Sequence, residues 1–162
     1  MPHSSLQTQT DASLQVVLVN PEIPPNTGNI ARLCAATRTP LHLVHPLGFS
    51  VEDRHLKRAG LDYWRHVSVF HHQSLEAALA AGGSGPVLYF SARQGEPYDR
   101  ASYLPGTRLV FGPETRGLSQ KLLENNRANC YRIPIWGEVR SLNLSAAAAV
   151  VVYEGYRQLG RW

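Results

Sequence analysis

The sequence predicts an α/β fold in which a mostly parallel sheet is flanked by helices. Short apolar segments that suit buried strands alternate along the chain with segments of helical pattern, the order that a parallel sheet requires. Hydrophobic residues make up 43% of the 162 residues, enough for one domain with a sizeable core. We therefore expect a polar, disordered tail over residues 1–13 and a single domain over residues 14–162.

The predicted strands are short apolar runs, and several of them stop at proline, which cannot donate to a sheet ladder. The first run ends at Asn20-Pro21, the second at Pro46 and the last at Pro134. In chain order the predicted strands are Leu14–Val19, Leu41–His45, Val67–Phe70, Val87–Phe90, Arg108–Phe111 and Tyr131–Ile133.

The predicted helices lie between these strands, several of them behind residues that can cap free backbone N–H groups. Pro24 and Pro25 stiffen a loop, after which Asn26 or Thr27 can cap a helix that runs through Ala35. Three further helices are predicted before the last strand: a short basic helix at Val51–Ala59, an alanine-rich helix at Ser74–Ala81 and a short helix at Gln120–Asn125.

The final helix follows a polar cluster of Ser141, Asn143 and Ser145. The Val150–Val152 triplet alone favours a strand, but the length of the segment and its alanine run favour a helix. Apolar residues fall on nearly every side of this helix, so we expect burial on more than one side. In a chain of this size, the second burial points to another subunit.

The chain is basic, with a formal net charge of +4, and 14 of its 16 Lys and Arg residues are arginine. Arginine suits bidentate phosphate contacts, although a genome rich in G and C raises arginine content without a functional cause. The two cysteines offer no disulfide framework and the seven histidines lack zinc spacing, so we expect reduced thiols, a cytoplasmic location and no metal. No apolar run approaches the ~20 residues that span a bilayer, and the N-terminal segment does not resemble a signal peptide.

Three polar, glycine-bearing loops each follow the end of a predicted strand. They are Asn26–Arg32, Gly112–Gly117 and Trp136–Asn143. Because the carboxyl ends of parallel strands share one edge of a sheet, these loops could converge on one ligand site. The usual nucleotide-binding and hydrolase motifs are absent from the sequence. Taken singly, each loop also has a structural explanation: glycines that supply turns, a solvated ion pair at Glu114, or helix caps at Ser141 and Asn143.

Together, these loops resemble the motifs of a known family. The resemblance rests on the segments N-P-E-I-P-P-N-T-G-N-I-A-R-L-C-A (Asn20–Ala35), L-V-F-G-P-E-T-R-G-L (Leu109–Leu118) and R-S-L-N-L-S (Arg140–Ser145). In this order they are similar to the SPOUT superfamily of RNA methyltransferases, and within it to the tRNA (cytidine(34)-2′-O)-methyltransferases. The resemblance covers Gln15 to Leu159, nearly the whole chain.

For the fold, the resemblance implies an α/β domain whose C-terminal segment forms a deep trefoil knot, assembled as a homodimer. Knots are rare, and nothing in the periodicity of this sequence indicates one. Tyr153 and Tyr156 in the final helix are the candidate interface residues, with burial in the monomer core as the alternative.

For the cofactor and substrate, the resemblance implies S-adenosylmethionine and the anticodon loop of tRNA. The reaction would be methylation of the 2′-hydroxyl of the wobble ribose, at cytidine or modified uridine 34. Carried over by position, the walls of the cofactor pocket are Phe90, Gly112, Ile133 and Ser141.

For catalysis, the resemblance assigns the key role to Arg32. A guanidinium holds its proton and is a poor base, so we interpret Arg32 as gripping a phosphate and stabilising the developing alkoxide. Four side chains would orient Arg32, the ribose and the loops: Asn26, Glu114, Ser141 and Asn143. Arg116 and Arg140 are the candidate RNA phosphate contacts across the dimer.

The sequence defines less well which nucleotide of the RNA is methylated. Arg54, Lys57 and Arg58 are candidate tRNA contacts, although a solvated helix face explains this cluster equally well. The segment Trp136–Val139 departs from the family pattern of small and polar residues, so the resemblance does not define which residues contact the methionine end of the cofactor. Two alternatives remain: methylation at another tRNA or rRNA position, and a catalytically silent RNA-binding dimer.

Overall fold

The computed structural model of the chain describes residues 13–52, 54, 56, 58 and 63–162. Residues 1–12 of the predicted tail lie outside this range. Ser13, the last residue of that tail, is buried, and its carbonyl accepts a hydrogen bond from the Gly106 N–H at 3.1 Å. Ser13 therefore packs with the domain.

Seven strands within the described residues form one sheet, and every neighbouring pair is parallel. They are β1 (Gln15–Val19), β2 (Leu41–Val44), β3 (Val69–His72), β4 (Val87–Phe90), β5 (Glu96–Pro97), β6 (Arg108–Phe111) and β7 (Cys130–Arg132). Both β2 and β6 are buried along their whole length, as expected for strands covered on both faces. The predicted parallel α/β sheet is confirmed.

The strand order, β3-β2-β1-β6-β4-β7-β5, reverses beside β1. From β1 the chain continues outward through β2 and β3, whereas the later strands lie on the other side. Val17 of β1 pairs with His42 of β2 and with Val110 of β6. In open α/β sheets, such a reversal leaves a crevice at the carboxyl ends of the strands, where ligands bind.

Helices cover both faces of the sheet. Four of them are described along their full length: α1 (Pro24–Thr37), α2 (Leu75–Ala81), α3 (Gln120–Asn125) and α4 (Leu144–Gln158). Side chains alternate along β1, so that Val16 and Leu18 pack with α1 and α4, while Val17 packs in a second cluster with α2 and α3. The structure thus has three layers, with the core divided between the two faces of the sheet. No helix among the described residues is both long and apolar enough to cross a bilayer.

The last turns of α4 lie close against the start of the sheet. At Gly155 a Cβ atom would lie only 2.4 Å from Leu14 Cδ1, so the helix can approach this closely only at a glycine. The hydroxyls of Tyr156 and Thr39 are hydrogen-bonded at 2.6 Å, and Tyr156 is 3% exposed. For Tyr156 the structure therefore supports the core alternative over a place in an interface, whereas Tyr153 is 49% exposed.

The first helix begins earlier than predicted. It starts at Pro24, and Ile23 occupies the cap position without a side-chain hydrogen bond. Proline is tolerated at the first helical position because its missing N–H would have no partner there. The predicted cap at Asn26 or Thr27 is wrong, since both residues are buried inside the helix.

Several strands also differ from prediction: β1 and β2 are each one residue shorter than predicted, and the last strand is Cys130–Arg132 instead of Tyr131–Ile133. The third strand is Val69–His72 instead of Val67–Phe70, and the side chains of its last two residues have partners on β2 and directly after it. His42 Nδ1 lies 2.8 Å from His72 Nε2, and His45 Nε2 lies 2.8 Å from His71 Nδ1. The edge strand β5 was not predicted, because it is two residues long and contains a proline, which only an edge position tolerates.

Candidate active site

A cavity of about 630 Å³ opens at the carboxyl edge of the sheet. It is lined by the loops that follow β1, β4, β6 and β7. The three loops predicted to converge therefore do so, and the loop after β4 joins them. The lining includes Ile23, Asn26, Phe90, Arg93, Gly112, Glu114, Arg116, Ile133, Arg140, Ser141 and Asn143.

Glu114 connects the loop after β6 to the start of α1. Its Oε1 accepts from the Glu22 N–H at 2.9 Å and its Oε2 from the Ile23 N–H at 2.5 Å. The carboxylate thus serves the N-terminus of α1, where the local sequence supplies no cap and a negative charge is favourable. In return, Glu22 Oε1 accepts from the N–H and hydroxyl of Thr115, at 3.1 and 2.8 Å. These hydrogen bonds lower the pKa of Glu22, with a smaller contribution from the charge of Arg116.

Asn26 and Asn143 extend this contact to the start of α4. Asn26 Nδ2 donates to Glu114 Oε2 over a long 3.5 Å, and Asn26 Oδ1 accepts from Asn143 Nδ2 at 2.8 Å. Asn143 Oδ1 in turn accepts from the N–H groups of Ser145 and Ala146, at 3.0 and 3.2 Å. Of the three predicted cap residues, Asn143 is therefore the N-cap of α4. The chain Glu114–Asn26–Asn143 ties all three sequence motifs together.

The four residues expected to line a cofactor pocket all face this cavity. Phe90 stacks on Phe111 with ring centroids 5.0 Å apart and an interplanar angle of 15°, which builds one apolar wall. Ile133 adds aliphatic surface, and Ser141 adds an exposed hydroxyl. A Cβ atom on Gly112 would lie 2.3 Å from the Leu118 amide nitrogen, so glycine is required for the loop to fold back on itself.

Three arginines on three different loops also line the cavity: Arg93, Arg116 and Arg140. All three are exposed. Arg116 and Arg140 were predicted as phosphate contacts, but Arg93 was not. Its loop follows β4, and nothing in the local pattern places that loop beside the other two, because the order of strands in the sheet decides that.

Arg32 lies apart from the cavity lining of its own chain. It is exposed on the outer side of α1, and its guanidinium carbon lies 4.9 Å from the centroid of the Tyr63 ring. Within one chain, the described residues show no hydrogen bond from Arg32 to any of the four side chains predicted to orient Arg32, the ribose and the loops, namely Asn26, Glu114, Ser141 and Asn143. Their orienting role stays a prediction. Tyr63, which the sequence did not single out, is the neighbour of Arg32 instead.

The remaining predicted surface residues are only partly described. Arg54 and Arg58 are helical and exposed, whereas Lys57 lies outside the described residues. An exposed apolar strip on and just before α4 contains Leu142, Val150 and Tyr153. Among the described residues, no group of three or more His, Cys, Asp or Glu side chains is arranged to hold a metal ion.

The fold and the cavity define a class of protein. It is a parallel α/β protein with a cavity of small-molecule size at the edge of the sheet where the strand order reverses, and the exposed arginines of its lining suit an anionic partner. More narrowly, the chain belongs to the SpoU rRNA methylase family, whose model matches residues 13–153. The family predicted from the three sequence motifs is confirmed.

Relatives of known structure or name agree with this assignment. The tRNA (cytidine(34)-2′-O)-methyltransferase of Escherichia coli (strain K12) is 46% identical over 148 residues, which cover 91% of this chain and 94% of the relative. A structure solved in work on 2-OH methylation of C/U34 on tRNA is 48% identical, with a TM-score of 0.86, and 94% of this chain and 99% of that chain are covered. The SpoU methyltransferase AviRb from Streptomyces viridochromogenes, solved in complex with the cofactor AdoMet, is 24% identical with a TM-score of 0.79. It covers 94% of this chain and 62% of its own length, a likeness that shows the fold alone.

Proposed function

We propose that this protein is an S-adenosylmethionine-dependent methyltransferase that methylates the 2′-hydroxyl of the tRNA wobble ribose, at cytidine or modified uridine 34. The observation that carries the proposal is the chain Glu114–Asn26–Asn143, which joins the three family motifs around one cavity. Relatives at 46% and 48% identity over nearly the full length of both chains support the same substrate. A cytoplasmic location follows from a tRNA substrate.

The cavity fits the proposed cofactor. Its volume of about 630 Å³ lies within the range of roughly 300–1,000 Å³ that is usual for small-molecule sites. Phe90 and Ile133 offer apolar walls to an adenine ring, while the Gly112 backbone and the Ser141 hydroxyl offer polar partners. When bound there, S-adenosylmethionine supplies a methyl group on a positively charged sulfur, which is an activated leaving group.

The contribution of the protein to the reaction is mainly alignment. Transfer of that methyl group to the ribose 2′-oxygen would leave the sulfur as a neutral thioether, and the hydroxyl proton would pass to solvent. Because the reacting atoms must lie in line, fixed spacing between the loops accounts for much of the acceleration. The hydrogen bonds of Glu114, Asn26 and Asn143 provide that fixed spacing.

Arg32 acts as an electrostatic stabiliser in this proposal. A guanidinium holds its proton in proteins and is a poor base, and that of Arg32 is exposed within this chain. A permanent cation can bind the phosphate beside the target ribose and stabilise the negative charge that develops on the 2′-oxygen.

A homodimer explains the position of Arg32 outside its own cavity. The apolar strip Leu142, Val150 and Tyr153 offers a face for a second copy, and we propose that the dimer brings Arg32 of one copy to the cavity of the other. We also propose that the C-terminal segment forms the trefoil knot typical of the family. Mixed dimers test the shared site: a dimer of one R32A copy and one N143A copy should regain activity that neither parent shows. If mixed dimers stay inactive while wild-type dimers are active, each site is built from one chain.

A methyl-transfer assay tests the function itself. The purified protein would be incubated with labelled S-adenosylmethionine and total tRNA from a strain that lacks the enzyme, and the modified nucleoside would be mapped. Label at the wobble ribose is expected. Label at another nucleotide would support the methyl-transfer activity but contradict the proposed target nucleotide. Absence of label despite cofactor binding would overturn the enzymatic function and favour an RNA-binding dimer.

A further inference from the structure

Trp136 projects into solvent at the edge of the cavity. It is 92% exposed, more than any other large hydrophobic side chain among the described residues. Its neighbour Ile135 lines the cavity, as does Arg140 at the other end of the same loop. A flat aromatic ring held beside a ligand site is the feature that proteins use to stack on unpaired nucleic acid bases.

The charge around Trp136 favours the same kind of partner. Arg93, Arg116 and Arg140 approach the cavity from three loops, and none of them belongs to a salt bridge within the described part of the chain. Glu114 is the acidic residue in the cavity lining, and backbone N–H groups already engage both of its carboxylate oxygens. Exposed arginines on three loops, with an exposed aromatic ring on the same loop as Arg140, match a flexible phosphate backbone that carries bases.

In the proposed dimer the second copy supplies Arg32 at the cavity, but RNA is a better partner than protein for the side chains of Trp136 and the three arginines. A two-fold interface buries the same patch from both copies, so it would bring six arginines of like charge together. Val150 and Tyr153 of the apolar strip lie outside the cavity lining and offer a dimer face of exposed apolar side chains.

On these grounds, and resting on the proposed function, we propose that Trp136 stacks on an unpaired base next to the target ribose, while Arg93 binds the RNA backbone together with Arg116 and Arg140. The four residues are called the RNA platform below. Stacking on Trp136 holds the neighbouring base away from the other bases of the RNA loop, and this leaves the target ribose free to enter the cavity.

The fluorescence of Trp136 gives a direct test. The chain has three tryptophans, so the double variant W64F/W162F leaves Trp136 as the one remaining indole. Titration with a synthetic anticodon stem–loop RNA should quench its emission, because stacking on a base quenches indole fluorescence. A fully paired RNA duplex of matched composition is the control, since it offers phosphates but no unpaired base, and it should leave the emission unchanged.

Variants at the platform complete the test. W136A should raise the Kd for the stem–loop by roughly 5- to 150-fold, the range expected for loss of one base–aromatic stack, and W136F should retain most of the affinity. In R93A the slope of log Kd against log salt should fall by about 0.7–0.9, the amount expected for the loss of one phosphate contact. Unquenched emission together with unchanged stem–loop affinity in W136A would overturn the proposal. So would a shift of W136A from dimer to monomer in sedimentation, which would place a second copy on Trp136. If the wild-type protein methylates no RNA, the proposed function fails, and the fluorescence titration still decides whether Trp136 stacks on RNA.

Discussion

The side-chain amide of Asn143 donates a hydrogen bond to Asn26 Oδ1 at 2.8 Å, and this bond joins residues 117 positions apart. Chemistry sets the orientation of both amides. The carboxylate of Glu114 can only accept, so it requires the NH₂ group of Asn26, which leaves Asn26 Oδ1 to face Asn143. Asn143 must then present its own NH₂ group to Asn26 and its oxygen to the start of α4. The ends of two helices are thereby held in a fixed relation around the cavity.

Substitution at Asn143 separates its two roles. N143D keeps an oxygen that can cap α4 but loses the NH₂ group that donates to Asn26, so helix stability should be retained while methyl transfer falls. N143A loses both roles, and the missing cap alone should lower the free energy of unfolding by about 1 kcal/mol. Urea denaturation and single-turnover methylation rates, measured on the same preparations, compare the two variants.

A charge-matched control accompanies N143D. Asn29 lies exposed on α1, so N29D adds the same negative charge without touching the hydrogen-bonded chain. Equal loss of activity in N29D and N143D would show that charge near the RNA, and not the bond to Asn26, causes the effect.

The start of α1 shows where prediction from sequence reaches its limit. Local rules favour Asn26 or Thr27 as the cap, but the group that serves the helix N-terminus is the carboxylate of Glu114, more than 90 positions along the chain from Glu22 and Ile23. By contrast, strands such as Val87–Phe90 and Arg108–Phe111 were predicted at their observed bounds, because continuous apolar runs bounded by loops carry their own signal.

The candidate site divides in the same way. Motif resemblance located Glu114, Ser141 and Asn143, and the parallel sheet required their loops to meet at one edge. Arg93 and Tyr63 gave no such signal. Arg93 reaches the cavity only because β6 lies between β1 and β4, and Tyr63 matters only through its contact with Arg32.

Both carboxylate oxygens of Glu114 must accept hydrogen bonds from backbone N–H groups. E114Q would place an NH₂ group against the N–H of Glu22 or Ile23 and leave that backbone donor without a partner. We expect the free energy of unfolding to fall by about 1–3 kcal/mol, with loss of methyl transfer. E138Q, on the exposed loop before α4, is the matched control and should unfold at the wild-type urea concentration. Equal midpoints for E114Q and E138Q would contradict the structural role of the carboxylate.

The Tyr63 ring holds the Arg32 guanidinium by a cation–π contact of 4.9 Å. An exposed contact of this kind is worth about 0.5–1 kcal/mol, so Y63L should lower the single-turnover methylation rate by about two- to fivefold. Y63F keeps the ring and should keep the rate. If Tyr63 acts through Arg32, adding Y63L to R32A should cause no further loss, and the KM for S-adenosylmethionine should not change. A full second loss in the double variant would show that Tyr63 acts by another route.

The buried histidine of β2 should make the fold sensitive to acid. His42 is 3% exposed, and its Nε2 lies 2.6 Å from Gln15 Oε1. Burial, with smaller contributions from the nearby charges of His72 and Arg108, lowers its pKa to about 4. Burial also lowers the pKa of His72 and of His71. The unfolded chain binds these protons more readily than the folded chain. The contribution that the neutral histidines make to the free energy of unfolding is therefore fully present above pH 6.5, and it is lost as the pH drops from 6.5 towards 4.

The size of this effect can be isolated at His42. Between about pH 7.5 and about pH 5, the shift of this one group should remove about 2 kcal/mol from the free energy of unfolding. H42Q retains an amide that can donate to Gln15 but cannot titrate, so its stability should depend less on pH by that amount, even if it is lower at neutral pH. H66Q removes an exposed histidine and should leave the wild-type pH dependence intact. Urea midpoints across this pH range decide the matter: parallel curves for wild type and H42Q would show that His42 does not couple folding to protonation.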